Sequence, residues 1–164
     1  PETIETAIIQ AKESGLVTIV DAGPPREISK RIFPYIDVLS PNETETEFLV
    51  GKKPETKKDF KGCAEKLLEM GVQSVVLKLG ARGCYYYDGS DELFMPGFKV
   101  NVVDTTAAGD AFTSALALAW GQAPLDEVLQ FANAAGALAC TKFGAQPSMP
   151  ELDVVLKFLK SNSC

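Results

Sequence analysis

The sequence predicts an α/β fold built on a largely parallel sheet with helices on both faces. Three observations carry that prediction. Amphipathic helical runs alternate with short β-branched runs through the first half of the chain. The β-branched runs are apolar without alternation, as strands buried on both faces are. Each is followed by a polar or glycine-rich turn, and in such sheets ligands bind at the C-terminal ends of the strands.

Residues 2–14 place Ile4, Ala7, Ile8 and Ala11 at i, i+3, i+4 and i+7, with Gly15 as a stop signal, so they form an amphipathic helix. Residues 16–20 (LVTIV) form a buried strand ending at Asp21-Ala22-Gly23-Pro24-Pro25. A short helix is expected around residues 27–33, then a strand over 36–39 that stops at Ser40-Pro41-Asn42-Glu43. Helix 43–50 is closed by Gly51; helix 59–70 carries Phe60, Cys63, Ala64, Leu67 and Leu68 on one face and is followed by Gly71. Residues 74–79 (SVVLKL) form a third buried strand, after which Gly80-Ala81-Arg82-Gly83 turns the chain. Residues 84–87 and 92–95, joined by Asp88-Gly89-Ser90, are expected as antiparallel pieces at one sheet edge. Residues 99–103 (KVNVV) have the composition of a strand, and helices are expected over 111–120, 125–141 and 151–159, with a loop over 142–150.

At 164 residues the chain is expected to be a single domain, 1–164. That length buries about 70% of the unfolded surface. With 22 acidic and 16 basic residues the net charge is −6, which argues against a nucleic-acid surface while leaving room for a local phosphate pocket. The absence of histidine removes Ser-His-Asp triads, Cys-His dyads and His-ligated metal sites, so acid–base work falls to carboxylates or lysine. Cys63, Cys84, Cys140 and Cys164 form no C-x-x-C pair and read as reduced thiols of a cytoplasmic protein. No apolar run approaches the roughly 20 residues of a membrane span. The chain begins without methionine, inside a helical pattern, and is therefore expected to be a piece of a longer protein.

The chemistry is expected at Val103-Asp104-Thr105-Thr106-Ala107-Ala108-Gly109-Asp110, where a polar turn of small residues runs into an apolar helix starting near Ala107 or Ala108. The first turn of a helix leaves N–H groups without intrahelical partners and carries partial positive charge, so Ala107, Ala108 and Gly109 could cradle a phosphoryl group. Asp110, one step inside, could take a proton from an attacking hydroxyl. The plainer alternative is that residues 104–106 are helix-capping residues and Asp110 complements the dipole. Asn42-Glu43-Thr44-Glu45 also opens a helix: Asn42 could bond a phosphate and Glu45 could hold Mg2+ through water, or the two could form a capping box. Lys78-Leu79-Gly80-Ala81-Arg82-Gly83 offers glycines that let backbone approach a nucleotide, with Lys78 and Arg82 as cations, or a plain turn.

Together and in this order the three stretches resemble the ribokinase or pfkB family of sugar kinases. Residues 104–110 match its signature D-T-x-[GA]-A-G-D, residues 42–45 its N-E-x-E element, and residues 79–83 its L-G-x-x-G loop. Gly144-Ala145-Gln146-Pro147-Ser148-Met149-Pro150 is similar to the ribokinase form of the late loop. The resemblance covers essentially the whole chain but only the C-terminal part of the family's fold.

That resemblance implies a Rossmann-like three-layer α/β/α sandwich, ribokinase-like, lacking the N-terminal part and its β lid. It implies ATP-dependent transfer of the γ-phosphoryl group to a sugar hydroxyl, D-ribose giving D-ribose 5-phosphate. Fructose, 2-keto-3-deoxygluconate or a nucleoside remain alternative acceptors, and a non-catalytic nucleotide-binding fragment remains a further alternative. Asp110 would be the catalytic base and the amides of Ala107, Ala108 and Gly109 the anion hole. Asn42 and Glu45 would organise phosphates and Mg2+, while Lys78, Leu79, Gly80, Ala81, Arg82, Gly83 and Asn133 would line the nucleotide pocket beside Gly109 and Asp110. A monovalent cation, K+, would be held mainly by carbonyls at Asp104, Thr106, Ala139, Lys142, Gly144 and Ser148. Ala107 stands where many members have glycine, which implies that the backbone there need not take positive φ, and ribokinases commonly accept alanine at this position. A homodimer is implied for the full-length form, with no nucleic-acid or membrane partner. Without the N-terminal part, the isolated chain is expected to bind nucleotide weakly, to hold no sugar productively, and to self-associate.

Overall fold

The computed structural model describes residues 2–162, so the thiol of Cys164 lies outside the described residues. The chain packs as two compact units, one reaching to Leu79 and including Tyr85–Phe94, the other made of Gly80–Cys84 and the residues from Met95 onward. Five strands, β1 (Ile19–Asp21), β2 (Val38–Ser40), β3 (Ser74–Lys78), β4 (Gly83–Tyr87) and β5 (Glu92–Pro96), form one sheet in sequential order. β1, β2 and β3 are parallel, with Asp21 opposite Ser40 and Leu39 opposite Val75. β2 and β3 are wholly buried, as their unbroken apolar runs require.

The first unit is built on helices α1 (Glu2–Glu13), α2 (Glu43–Val50) and α3 (Lys57–Glu69). α3 lays Phe60, Cys63, Ala64 and Leu67 into a core with Leu39, Val75, Leu77 and Leu79. It starts two residues before the expected position because Thr56 caps it: Thr56 accepts from the Asp59 N–H, and the Asp59 carboxylate accepts from the Thr56 N–H at 2.9 Å. α2 ends as expected on Gly51, whose φ of 75° is the left-handed conformation that closes helices.

Two expectations in this unit are corrected. The first strand covers Ile19–Asp21 and not residues 16–20, since Leu16 and Val17 are 61% and 59% exposed and Thr18 is bonded to Asp37. The helix expected around residues 27–33 does not form; only a 3-10 turn over Phe33–Tyr35 is present. Prolines at 25 and 34 confine that segment to eight intervening residues. A helix shorter than about 12 residues repays its nucleation cost only through packing, and here Ile32 and Phe33 alone are buried.

The second unit holds α4 (Ala108–Ala119), α5 (Leu125–Ala139) and α6 (Leu152–Asn162), with a 3-10 turn, Gln146–Ser148, inside the expected loop. α4 and α5 approach closely because Gly136 has no side chain: a Cβ there would lie 3.3 Å from the Ala108 carbonyl and 3.4 Å from Phe112 Cβ. The strand expected over residues 99–103 is absent. Val102 and Val103 are 58% and 56% exposed, and the N–H groups of Val103 and Asp104 donate to Cys140 O at 2.8 and 3.2 Å instead of entering a ladder. β propensity expresses itself only where neighbouring strands cover the side chains. None of the described helices is long and apolar enough to cross a membrane.

At the N-terminal end of the strands, Asp37 ties the first unit together. Its carboxylate is ion-paired with Lys12 of α1 and accepts from the Thr18 N–H at 2.8 Å and the Thr18 hydroxyl at 3.0 Å. Burial pushes this carboxyl up, but Lys12 and the two Thr18 donors together outweigh burial and hold it below its ordinary value. A carboxyl depressed in the folded state stabilises the protein above the unfolded value of about 3.9 and loses that contribution as pH falls through the folded one. Urea unfolding of Asp37→Asn at acid pH is therefore expected to show a shallower loss of stability than the parent chain. An identical acid slope would mean that Asp37 is not the group responsible.

Candidate active site

At the C-terminal ends of β1, β2 and β3 the first unit gathers Asp21, Asn42, Glu45 and Lys78. The Asn42 side chain accepts from the Glu45 N–H at 2.9 Å, and the Glu45 carboxylate accepts from the Asn42 N–H at 2.7 Å and from Asn42 Nδ2 at 2.8 Å. The capping box is thus real, and it fixes Glu45 in the first turn of α2 with only 4% of its surface exposed. Burial pushes the Glu45 carboxyl above its ordinary range; the Asn42 N–H and the Lys78 charge pull against that, and Asp21 adds to it. Lys78 donates its N–H to Pro41 O at 2.8 Å, and its ammonium is ion-paired with Asp21. Gly23 leaves room for the Glu45 carboxylate, since a Cβ there would lie 2.8 Å from Glu45 Oε1.

In the second unit the 104–110 turn has a backbone that its residue types did not reveal. Ala107 is the N-cap of α4 at φ 61° and ψ 9°, the left-handed region, so the backbone takes positive φ here even though alanine implied that it need not. Neighbouring bonds hold it so: the Ala108 N–H donates to Thr105 O at 3.2 Å and the Ala111 N–H to Ala107 O at 2.9 Å. No side chain caps this helix, so the alternative that residues 104–106 cap it is corrected as well. Asp110 sits exposed in the first turn. Because left-handed alanine costs about 1–2 kcal/mol and glycine adopts that region freely, Ala107→Gly is expected to stabilise the chain by about 0.5–1 kcal/mol. Chemical denaturation checks this, and a loss of stability would overturn the strain argument.

Asp104 serves a different purpose. Its Oδ1 accepts from the Thr106 N–H at 2.9 Å and the Thr106 hydroxyl at 2.7 Å, while Oδ2 accepts from the Gly144 N–H at 2.9 Å. Gly144 leads these donors in holding the Asp104 carboxyl below its ordinary value. The residue therefore pins the loop after α5 to the loop before α4. Around that pin lie Ala139, whose carbonyl accepts from the Lys142 N–H at 3.4 Å, and the buried Ser148, whose hydroxyl donates to Ala145 O at 2.7 Å. Five of the six residues expected around a monovalent cation thus belong to two loops joined by one carboxylate, and the sixth, Ala139, is the last residue of α5.

In the glycine-bearing loop, Gly80–Arg82 forms a 3-10 turn and Gly83 enters β4. Gly83 has φ 105°, and a Cβ there would fall 2.0 Å from Met95 O, so its small size serves backbone contact within the protein. Asn133 is likewise engaged: Nδ2 donates to Met95 O at 3.2 Å and Pro96 O at 3.3 Å. Beside it, burial pushes the Cys84 thiol up to about 12, with the Asn133 side chain pulling the other way.

A family profile described as pfkB family carbohydrate kinase matches residues 1–152. The chain belongs to the pfkB family. It is 35% identical to the ribokinase of Staphylococcus aureus over 147 residues, which covers 88% of this chain and 48% of that protein. Among solved structures, ribokinase from Thermotoga maritima shares 40% identity at a TM-score of 0.84, covering 95% of this chain and 53% of that one. Arabidopsis thaliana ribokinase, solved with ribose and ATP, shares 37% identity at a TM-score of 0.90, covering 98% and 53%. The fold is accordingly the α/β ribokinase-like one, and the chain spans about half the length of the curated relatives it matches.

Within this pfkB chain, the structure brings Asn42, Glu45 and Lys78 to one end of the parallel strands, and Asp104, Thr106 and Gly144 to one pair of loops. Asp21 was marked in the sequence only as the end of a strand. The available signal was an acidic residue at the C-terminal end of a parallel strand, the position where such sheets bind ligands. Among the described residues no group of three or more His, Cys, Asp or Glu could hold a metal ion.

Proposed function

We propose that residues 1–164 form the C-terminal, ATP-binding and catalytic domain of a ribokinase-like sugar kinase that converts D-ribose to D-ribose 5-phosphate. The observation that carries this reading is the turn before α4. Left-handed Ala107 brings residues 108–110 into the opening turn of a helix with no side-chain cap, inside a chain of the pfkB family. An uncapped helix start suits a phosphoryl group in flight. The Gly109 and Ala107 amides would carry most of that duty, since the Ala108 amide already donates to Thr105 O. Asp110 would accept the proton of the acceptor hydroxyl as its oxygen bonds to phosphorus and the bond to the ADP oxygen breaks. Because the transition state of phosphoryl transfer is loose, positioning matters more than base strength.

Lys78 and the 79–83 loop would face the nucleotide, with Asn133 holding the backbone behind it. Mg2+, when bound, would neutralise charge on the phosphates. A single buried carboxylate, Glu45, whose oxygens already accept from Asn42, fits an ion held chiefly by phosphates and waters. The loops joined by Asp104 and Gly144 offer carbonyls suited to K+, with Ser148 contributing its carbonyl because its hydroxyl is committed. Ribose as acceptor rests on the ribokinase relatives and the 144–150 loop; fructose, 2-keto-3-deoxygluconate or a nucleoside are the alternatives within the family. On this reading the full-length protein is a cytoplasmic homodimer. ADP release by the full-length protein with MgATP and K+ tests the reading across those acceptors. Strong dependence on ribose supports it, preference for another acceptor changes the substrate, and no acceptor-dependent turnover favours a non-catalytic nucleotide-binding module.

A further inference from the structure

Alternation along the strands divides the first unit cleanly. Leu39, Val75 and Leu77 face the core that includes α3, and Val20 and Ala22 pack with it. Asp21, Ser40 and Lys78 therefore share the opposite face at the ends of three adjacent parallel strands. Asp21 lies opposite Ser40, and Asn42 is bridged to Lys78. The ion pair between Lys78 on β3 and Asp21 on β1 spans β2 altogether. With strands about 4.8 Å apart, the lysine stem must cross β2 between Ser40 and Asn42.

Beneath that crossing, Ser40 is 0% exposed and its hydroxyl has no hydrogen-bond partner among the described residues. The other buried serine and threonine hydroxyls of this unit are all bonded. Thr18 donates to Tyr35 O at 2.6 Å, Thr46 to Asn42 O at 2.7 Å, and Ser74 to Asp37 O at 2.7 Å. An orphaned buried hydroxyl costs free energy and points to a partner supplied from outside.

We propose that Ser40 is a phosphate-binding residue, its hydroxyl donating to a phosphate oxygen of the nucleotide once Lys78 leaves Asp21 for the same phosphate. The inference rests on the nucleotide-binding reading above. Lys78 exchanges one anionic partner for another, so its movement leaves no buried charge unpaired on the lysine, and it opens the face of β2 on which the Ser40 hydroxyl lies. The ligand class follows from the chemistry: a cation and a neutral donor presented together at the ends of parallel strands suit an oxyanion.

The test compares the full-length parent protein with its Ser40→Ala variant by thermal unfolding without ligand and by calorimetric titration with MgATP and with adenosine. Without ligand, Ser40→Ala is expected to unfold no lower than the parent, because the hydroxyl it removes bonds nothing. Its Kd for MgATP is expected to rise about ten-fold, the scale of a hydrogen bond to a charged group, while its Kd for adenosine stays unchanged. A lowered unfolding midpoint without ligand would show the hydroxyl engaged inside the protein and overturn the proposal. So would unchanged MgATP affinity, or an equal loss for adenosine. Failure of the parent protein to bind MgATP at all would instead remove the nucleotide-binding reading, and this inference with it.

Discussion

Asp110→Asn is expected to lower kcat of the full-length protein by about 10²- to 10⁴-fold, the usual contribution of a positioned general base. Its affinity for MgATP should be unchanged or slightly tighter, because the substitution removes a negative charge from the first turn of a helix that faces an anion. Asparagine keeps the shape of the side chain and the N–H groups of residues 107–109, so the change isolates proton acceptance from phosphoryl binding. Asp110 is exposed, and its side chain supports no packing that the substitution could disturb. Steady-state kinetics with calorimetric MgATP binding reads both quantities. Retained turnover would reject the base role; lost turnover together with lost nucleotide binding would assign Asp110 to positioning.

The largest effect on stability is expected at Gly83. Its φ of 105° is open to glycine but not to alanine, and a Cβ there would sit 2.0 Å from Met95 O and 2.5 Å from Gly97 N. Both contacts are with backbone, which cannot swing aside as a side-chain end can. Strained φ and overpacking each cost about 1–3 kcal/mol, so Gly83→Ala should destabilise the chain by about 3–5 kcal/mol. For a chain of this size that lowers the unfolding midpoint by roughly 10 °C. Gly51→Ala is the control: its φ is 75° but nothing lies within 4 Å of its Cβ position, so only the conformational cost of about 1–2 kcal/mol applies. Equal losses at the two positions would mean that close approach of the 95–97 backbone plays no part.

These two residues also separate what was legible from what was not. Asp110 was legible as a candidate because it closes a run of small residues before an apolar helix, although that order alone favours dipole complementation and the family resemblance carried the choice. Gly83 was legible as a turn glycine, but the backbone contact that requires it was not. The backbone it admits belongs to residues 95–97 of the same chain, and no local pattern carries that contact. The same holds for residues 99–103, whose composition matches a strand although Val103 and Asp104 bond Cys140. It holds for Ala107, whose left-handed backbone is imposed by the bonds on either side of it. Thr56 is the reverse case, since its T-x-x-D spacing was in plain view and sets the start of α3.

By itself, the sequence of this chain determined what short-range physics controls: the periodic helices, the unbroken apolar strands, the Asn42–Glu45 cap, and the order of motifs that marks a pfkB chain. Only the tertiary structure decided how those pieces are used. It joined Lys78 to Asp21 across an intervening strand, left the Ser40 hydroxyl unpaired beneath them, and pinned Asp104 to Gly144, forty residues further on. The physical reason is range. Periodicity, capping and turn chemistry act over a few residues and leave a local trace, whereas an ion pair or an orphaned hydroxyl depends on which distant strands become neighbours.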